Sequence, residues 1–374
     1  MLRLFILFFF FSLSLFGQQR FGLNDITHLL PLPQVQDLSL MLHTRSGGGR
    51  GELLPYSYFQ RLPRLVPGVD PVQMYQQSLK VVAIRLDPCF METALRGCQP
   101  QIRLVWQPLV IKEYTSATID AALHTFYDLS LADWQSLIQE YRQIKSSVRY
   151  RNVDPLQVSP ALLTLGYQSS YWQRFSQMIL KRAGVQNLVR VTFMNVNPMG
   201  NAWAFGAFKP VNGQLEIMPI PGIDKKAQVV ISKQSLGAET MLDAVPRPAN
   251  QDHFFRFLND SQTAKKIWPP EHIQAAVRTA FEFENTSIHN SGTVSCASCH
   301  LTRSISFLAR GSFPQWDWKQ ILKGVSYIGT SNMTNTTSSF IHAESLHMIG
   351  YFDRTPVISD RVINDTDLAL RMIK

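Results

Sequence analysis

Apolar and polar positions divide the chain into an alternating middle and a helical end. Val81 to Leu86 and Ile102 to Val110 are strand-like runs that predict a hairpin. Ser130, with Asp133 at the third helical position, predicts a capped helix over Leu131 to Lys145. Tyr171 to Ala183 predicts a second helix, stopped at Gly184. Between 187 and 233, Val189, Val191 and Phe193 alternate with Arg190 and Thr192. Trp203 and Phe205 repeat that rhythm, Asn212-Gly213 is a hairpin turn, and Leu215, Ile217 and Val229 to Ile231 carry it on. An antiparallel β-meander is expected there, with Trp203 and Phe205 in its core.

Beyond the prolines at 246, 248, 269 and 270 the period becomes helical. Pro270 stands at a helix start with Ile273, Val277, Ala280 and Phe281 on one face. A short helix to about Ala309, ending near Gly311, precedes an aromatic patch at Phe313, Trp316 and Trp318. A Ser/Thr/Asn-rich loop follows at 330 to 339, and a last helix carries Val362, Thr366, Ala369, Leu370 and Ile373 on one side. The expected class is α+β, in two domains. Residues 18–245 form a mixed domain of unknown role, with the meander and helices, and residues 246–374 form a mainly α-helical domain.

Residues 18 to 75 read as irregular. Their run Ser46-Gly47-Gly48-Gly49-Arg50-Gly51 lacks the Lys-Ser/Thr of a phosphate loop, so it reads as a flexible loop. The amino terminus has a short positive start and an apolar run from Leu4 to Phe16, interrupted only by Ser12 and Ser14. Such a run is short for a bilayer span and fits a secretory signal over residues 1–17, which implies a periplasmic or secreted protein. Leu15 replaces the preferred small residue near the cleavage point, so an uncleaved anchor is the alternative. The formal charge of +9 is spread without Lys/Arg runs, which speaks against nucleic acid and leaves an acidic redox partner as the expected kind of partner.

The four cysteines fall into two close pairs. Cys89 and Cys98 flank the end of the expected first hairpin, where a disulfide would clamp it. Cys296-Ala297-Ser298-Cys299-His300 has the spacing that attaches a haem c: two sulfurs on one helical face meet the two vinyl groups, and the adjacent imidazole meets the iron. A redox dithiol would call for a strand just before it, zinc for a second Cys or His pair, and a disulfide here would close a small strained loop. Cys296, Cys299 and His300 are therefore the candidate cofactor residues, with one covalent haem per chain.

The run Asn290-Ser291-Gly292-Thr293-Val294-Ser295-Cys296-Ala297-Ser298-Cys299-His300 resembles the haem segments of bacterial di-haem cytochrome c peroxidases. The order helix, motif, loop, final helix resembles a cytochrome c domain over about the last 120 residues. That family carries two haem motifs and this chain has one. The resemblance thus implies haem binding and electron transfer through Fe(II)/Fe(III) more than peroxidase chemistry. A haem-dependent oxidoreductase and a partner-binding protein with a haem sensor are the alternatives.

The sixth iron ligand separates carrier from catalyst. Met348, ahead of the last helix, is the first candidate, followed by Met333, then His342 and His347, then His289. Trp316, Trp318, Tyr351 and Phe352 are candidate pocket walls, and Arg303 or Arg310 candidate partners for a haem propionate.

Overall fold

The computed structural model describes residues 20–91, 97–150, 155–196, 202–220, 226–233, 237–240, 265–290, 293–325, 327 and 348–373. Their strands, in chain order, are β1 (Thr27–Leu29), β2 (Gly47–Gly48), β3 (Gly51–Glu52), β4 (Leu79–Met91), β5 (Cys98–Lys112), β6 (Thr115–Thr118) and β7 (Ala122–Asp128). Then come β8 (Leu188–Val196), β9 (Ala202–Val211), β10 (Gln214–Met218), β11 (Ala227–Lys233), β12 (Gly237–Thr240), β13 (Ile349–Phe352) and β14 (Thr355–Ile358). The longer helices are α1 (Leu131–Ser146), α2 (Ser170–Leu180), α3 (Pro270–Glu284), α4 (Cys296–Ser312) and α5 (Asp360–Ile373).

Ten strands form one antiparallel sheet in the order β1-β4-β5-β7-β8-β9-β11-β12, with β6 beside β5 and β10 beside β9. The expected meander is present as β8 to β11. Its Asn212-Gly213 turn has φ of +49° and +75°, the left-handed pair that a two-residue hairpin needs. The first hairpin is longer than its apolar runs. Strands β4 and β5 extend to Met91 and Cys98, and the Cys89–Cys98 disulfide joins their ends.

Successive strand residues face opposite sides of a sheet, and two neighbours on β1 identify what covers each side. The His28 ring lies 4.6 Å from Phe175 on α2 and 5.7 Å from Tyr141 on α1. The hydroxyl of Thr27, one residue earlier, is 2.7 Å from that of Thr366 on α5. Helices α1 and α2 therefore cover one face, and the end of the chain covers the other. On the first face Leu104, Trp106, Leu123 and Tyr127 are wholly buried, and the Tyr127 hydroxyl donates to the Leu53 carbonyl at 2.8 Å.

On the second face the β13–β14 hairpin meets β4, β5 and β6, α5 crosses β4, and α4 meets β9 and β11. Gln107, wholly buried on β5, fixes the hairpin. Its Nε2 donates to the Tyr351 carbonyl at 2.9 Å and its Oε1 accepts from Tyr351 N at 2.7 Å. A Cβ on Gly350 would sit 2.4 Å from that Oε1, and the φ of +143° there also favours glycine.

The expectation of a separate, mainly helical carboxyl-terminal domain is corrected by this arrangement. The end of the chain contributes a hairpin as well as helices, and one hydrophobic core joins Ile273, Val277, Leu301 and Leu370 to the residues of the sheet. The physical reason is burial: the apolar faces of these helices pack on the second face of a sheet that would otherwise expose its own. The expected boundary at 245/246 lies outside the described residues, as do residues 1–17 and the polar loop at 330–339.

A buried polar knot ties the start of the described chain to α1. The Asp25 carboxylate accepts from Lys145 Nζ at 2.5 Å, Tyr150 Oη at 2.8 Å, Tyr141 Oη at 3.2 Å and its own loop's Gly22 N at 2.8 Å. His28 Nε2 lies 3.1 Å from the Asp25 carbonyl oxygen and 3.4 Å from the Tyr141 hydroxyl. Burial, only partly offset by the Asp25 charge, holds this imidazole down to about 4.

Candidate functional site

The Cys-x-x-Cys-His segment opens α4. Ser295 is its N-cap: its Oγ accepts from Ser298 N at 3.3 Å and bonds the Ser298 hydroxyl at 2.9 Å. The next partner comes from the sheet. Gln228 on β11 is wholly buried, and its Nε2 donates to Ser295 Oγ at 3.1 Å while its Oε1 accepts from Ala297 N at 3.0 Å. A single glutamine thus satisfies one of the helix's orphan amides and locks the motif to the strand. Three residues apart, Cys296 and Cys299 lie on one face of the first turn. His300 follows directly, its ring 4.8 Å from Phe205 of β9.

Both thiols are unpaired, in a chain whose other two cysteines form a disulfide. Burial pushes the Cys296 thiol up, against the opposing pull of Arg190, and pushes Cys299 to about 12, against the pull of Arg361. At neutral pH the pair is S–H. That is poor material for an attacking redox dithiol, which uses the thiolate. It is the form whose sulfur and hydrogen both appear in a thioether product. The donor set of two unpaired thiols and an adjacent imidazole on one helical turn therefore fits a haem c. Among the described residues no group of three His, Cys, Asp or Glu side chains is arranged to hold a metal ion.

Met348 is buried at the start of the β13–β14 hairpin, and its carbonyl accepts from Ser359 N at 2.8 Å. Its hairpin docks on β4, β5 and β6, whereas α4 docks on β9 and β11, with β7 and β8 between. Met333, His342 and His347 lie outside the described residues, as does the Arg303 side chain. His289 stacks edge-on against Phe283 at 5.5 Å, and burial, with the charge of Arg361, lowers it. Arg310 lies over the Phe281 ring at 5.3 Å. Among the expected pocket walls, Trp316 stacks on Phe313 at 4.0 Å and neighbours Trp318 at 5.7 Å. Tyr351 is engaged in the hairpin, its hydroxyl donating to the Leu30 carbonyl at 2.7 Å.

Two features of the site are invisible in the motif itself. Gln228 is one. The other is a row of side chains across the second face of the sheet, where cross-strand pairing sets Arg85 opposite Arg103, Arg103 opposite Phe126 and Phe126 opposite Arg190. Alternation had assigned Arg190 to the polar side of its strand. The register keeps Arg190 on that side, opposite Phe126, but the side is covered, so Arg190 is buried in this row, 7% exposed. Arginines within apolar strand runs were the available signal.

No family model, curated protein or solved structure matches this chain. No helix among the described residues is long and apolar enough to cross a membrane, and the disulfide is compatible with an exported protein.

Proposed function

We propose that this chain is an exported mono-haem c-type cytochrome, holding one haem through thioethers at Cys296 and Cys299 with His300 as proximal ligand. The carrying observation is the pair of unpaired thiols and the adjacent imidazole on the first turn of an N-capped helix. In attachment each S–H adds across one vinyl group: a C–S bond forms at one carbon and the hydrogen goes to the other, so no oxidant is consumed. The bound group supplies one-electron Fe(II)/Fe(III) chemistry.

The protein's own part is mechanical and electrostatic. Gln228 and Ser295 hold the helix start, so that both sulfurs and the imidazole keep one orientation. Phe205 packs against the imidazole and limits its rotation. Cys296, Cys299 and His300 are each half-buried, so the attached group would be partly shielded from water. The apolar run near the amino terminus and the oxidised Cys89–Cys98 pair support a periplasmic or secreted location.

The test is expression with its own amino terminus in a cell that matures haem c, followed by denaturing electrophoresis with haem staining and a reduced spectrum. Covalent haem is expected in the wild-type chain and none in Cys296→Ala/Cys299→Ala. A wild-type chain without covalent haem overturns the proposal. A spectrum that changes on adding peroxide would replace the carrier by a peroxide-reacting centre.

A further inference from the structure

Lys80, the second residue of β4, is 8% exposed, and no hydrogen bond or ion pair engages its ammonium among the described residues. Lys145, the other buried lysine among them, is treated differently. Its ammonium has the Asp25 carboxylate at 2.5 Å and the Arg20 carbonyl at 2.8 Å. Arg182, buried as deeply, has Glu140 at 2.7 Å. A buried cation without a counter-charge is costly unless it loses its proton or gains an anion. Gln107, directly across on β5, offers no relief, because its amide is occupied by the backbone of Tyr351.

The backbone brings two more basic side chains to this end of the sheet. His43 forms an isolated antiparallel bridge with Lys80, and the Leu42 carbonyl accepts from Val81 N at 3.0 Å. Residues paired in this way send their side chains to one face, so the imidazole stands beside the Lys80 side chain. A turn follows at once. Ser46 N donates to the His43 carbonyl at 2.9 Å, and Ser46 Oγ accepts from His43 N at 2.9 Å. Thr44 Oγ1 donates to the Tyr75 carbonyl at 2.7 Å, which pins the turn to the segment leading into β4. Arg45, exposed, occupies the third position of that turn. Among the described residues neither nitrogen of the His43 ring has a partner, and its Nδ1 is buried. The Arg45 guanidinium is likewise uncommitted among them.

The electrostatics agree with this placement. Burial and Arg45 lower the Lys80 ammonium, and burial, Lys80 and Arg45 lower the His43 imidazole. No carboxylate opposes either shift, and the charge of Glu52 is felt at Tyr75 instead. An ammonium, a guanidinium fork and an imidazole with no acid among them match a group that carries several anionic oxygens. We infer that Lys80, Arg45 and His43 bind a phosphoryl group, the first two as fixed cations and the imidazole as an N–H donor. The group can be borne by a small dissolved molecule or by a lipid head. This site is separate from the Cys-x-x-Cys-His segment, whose helix docks on β9 and β11 with β5, β7 and β8 between, and it does not rest on haem attachment.

The test is trace acetylation of the full chain with acetic anhydride, read lysine by lysine by mass spectrometry. Inorganic phosphate is titrated against chloride at constant ionic strength, and vesicles of phosphatidylcholine with phosphatidic acid form a second arm. Phosphate should protect Lys80 saturably while Lys112, an exposed lysine paired with Asp353, keeps its labelling rate. Protection by the vesicles alone would assign the same group to a lipid. Arg45→Gln, an exposed change, should weaken phosphate protection about tenfold, the equivalent of one charge-assisted hydrogen bond. The melting temperature of the wild type should rise with phosphate. Lys80→Met should melt no lower than the wild type in chloride, because it removes an uncompensated buried charge, and should gain nothing from phosphate. Protection by chloride equal to that by phosphate and vesicles overturns the inference, as does wild-type phosphate protection in Arg45→Gln. Should Lys80→Met fail to fold, the Arg45→Gln titration decides alone.

Discussion

His28 makes a quantitative statement about acid stability. Its ring is buried between Tyr141 and Phe175 and is held down to about 4, whereas the unfolded chain returns it to 6.5. The unfolded state therefore binds a proton that the folded state refuses, so the stability is fully present above pH 6.5 and is lost as pH falls towards 4. Linkage between those two values removes about 2 kcal/mol by pH 5 and about 3 kcal/mol once pH passes below the folded value. A typical domain has only about 5–15 kcal/mol in total, so the loss is measurable. Urea unfolding of the full chain at several pH values between about 8 and 4.5, alongside His28→Gln, isolates it. The variant starts lower at pH 8, because it loses ring contacts, but its stability falls less steeply with acid. Parallel pH profiles for the two proteins would refute the assignment of this acid sensitivity to His28.

The remaining expectations concern the site. Gln228→Ala leaves the Ala297 amide without its sheet partner and should cost about 1–3 kcal/mol, read by thermal unfolding, while Gln228→Glu should suffer as well because it buries a charge there. If the glutamine positions the motif, the alanine variant also broadens the haem absorption bands, a change that a merely structural role elsewhere would not cause. Met348→Leu should cost less than about 1.5 kcal/mol, since the volume is kept. Because the hairpin docks three strand steps from α4's nearest strand, we expect the oxidised spectrum to be unchanged. Loss of a weak long-wavelength band on that substitution would place Met348 on the iron.

Local elements were readable because their causes are local. Ser130, Asn212-Gly213 and Pro270 mark boundaries through single-residue preferences, and the capped helix, the hairpin turn and the amphipathic helix stand where they were expected. The Cys89–Cys98 bridge followed from its two flanking runs. What failed was the assignment of faces. Val81 to Leu86 and Ile102 to Val110 are almost continuously apolar, which is the pattern of strands covered on both sides. Read only as a hairpin, they left no place for the end of the chain. Arg85, Arg103 and Arg190 carry no local mark of burial, because a charge inside a strand is ordinarily exposed. Only the pairing register brings them into one buried row. The β13–β14 hairpin lay hidden between a polar loop and a strong helix, its four-residue strands too short to announce a period.

The contact between Thr27 and Thr366 joins residues 339 positions apart, and Gln107 reaches 244 positions to Tyr351. Such pairings cannot form until nearly the whole polypeptide has been made, and closing loops of that length delays the final step of folding. The early part of the chain can build its sheet first, but the arginine face remains uncovered until α5 and the hairpin arrive. During that interval Arg361 of α5 has yet to reach the Cys299 side of the motif, so that thiol is the more open to solvent. A chain threaded outward across a membrane would therefore expose its cysteines late and briefly. Time, as much as geometry, would set the window in which the proposed haem is joined to them.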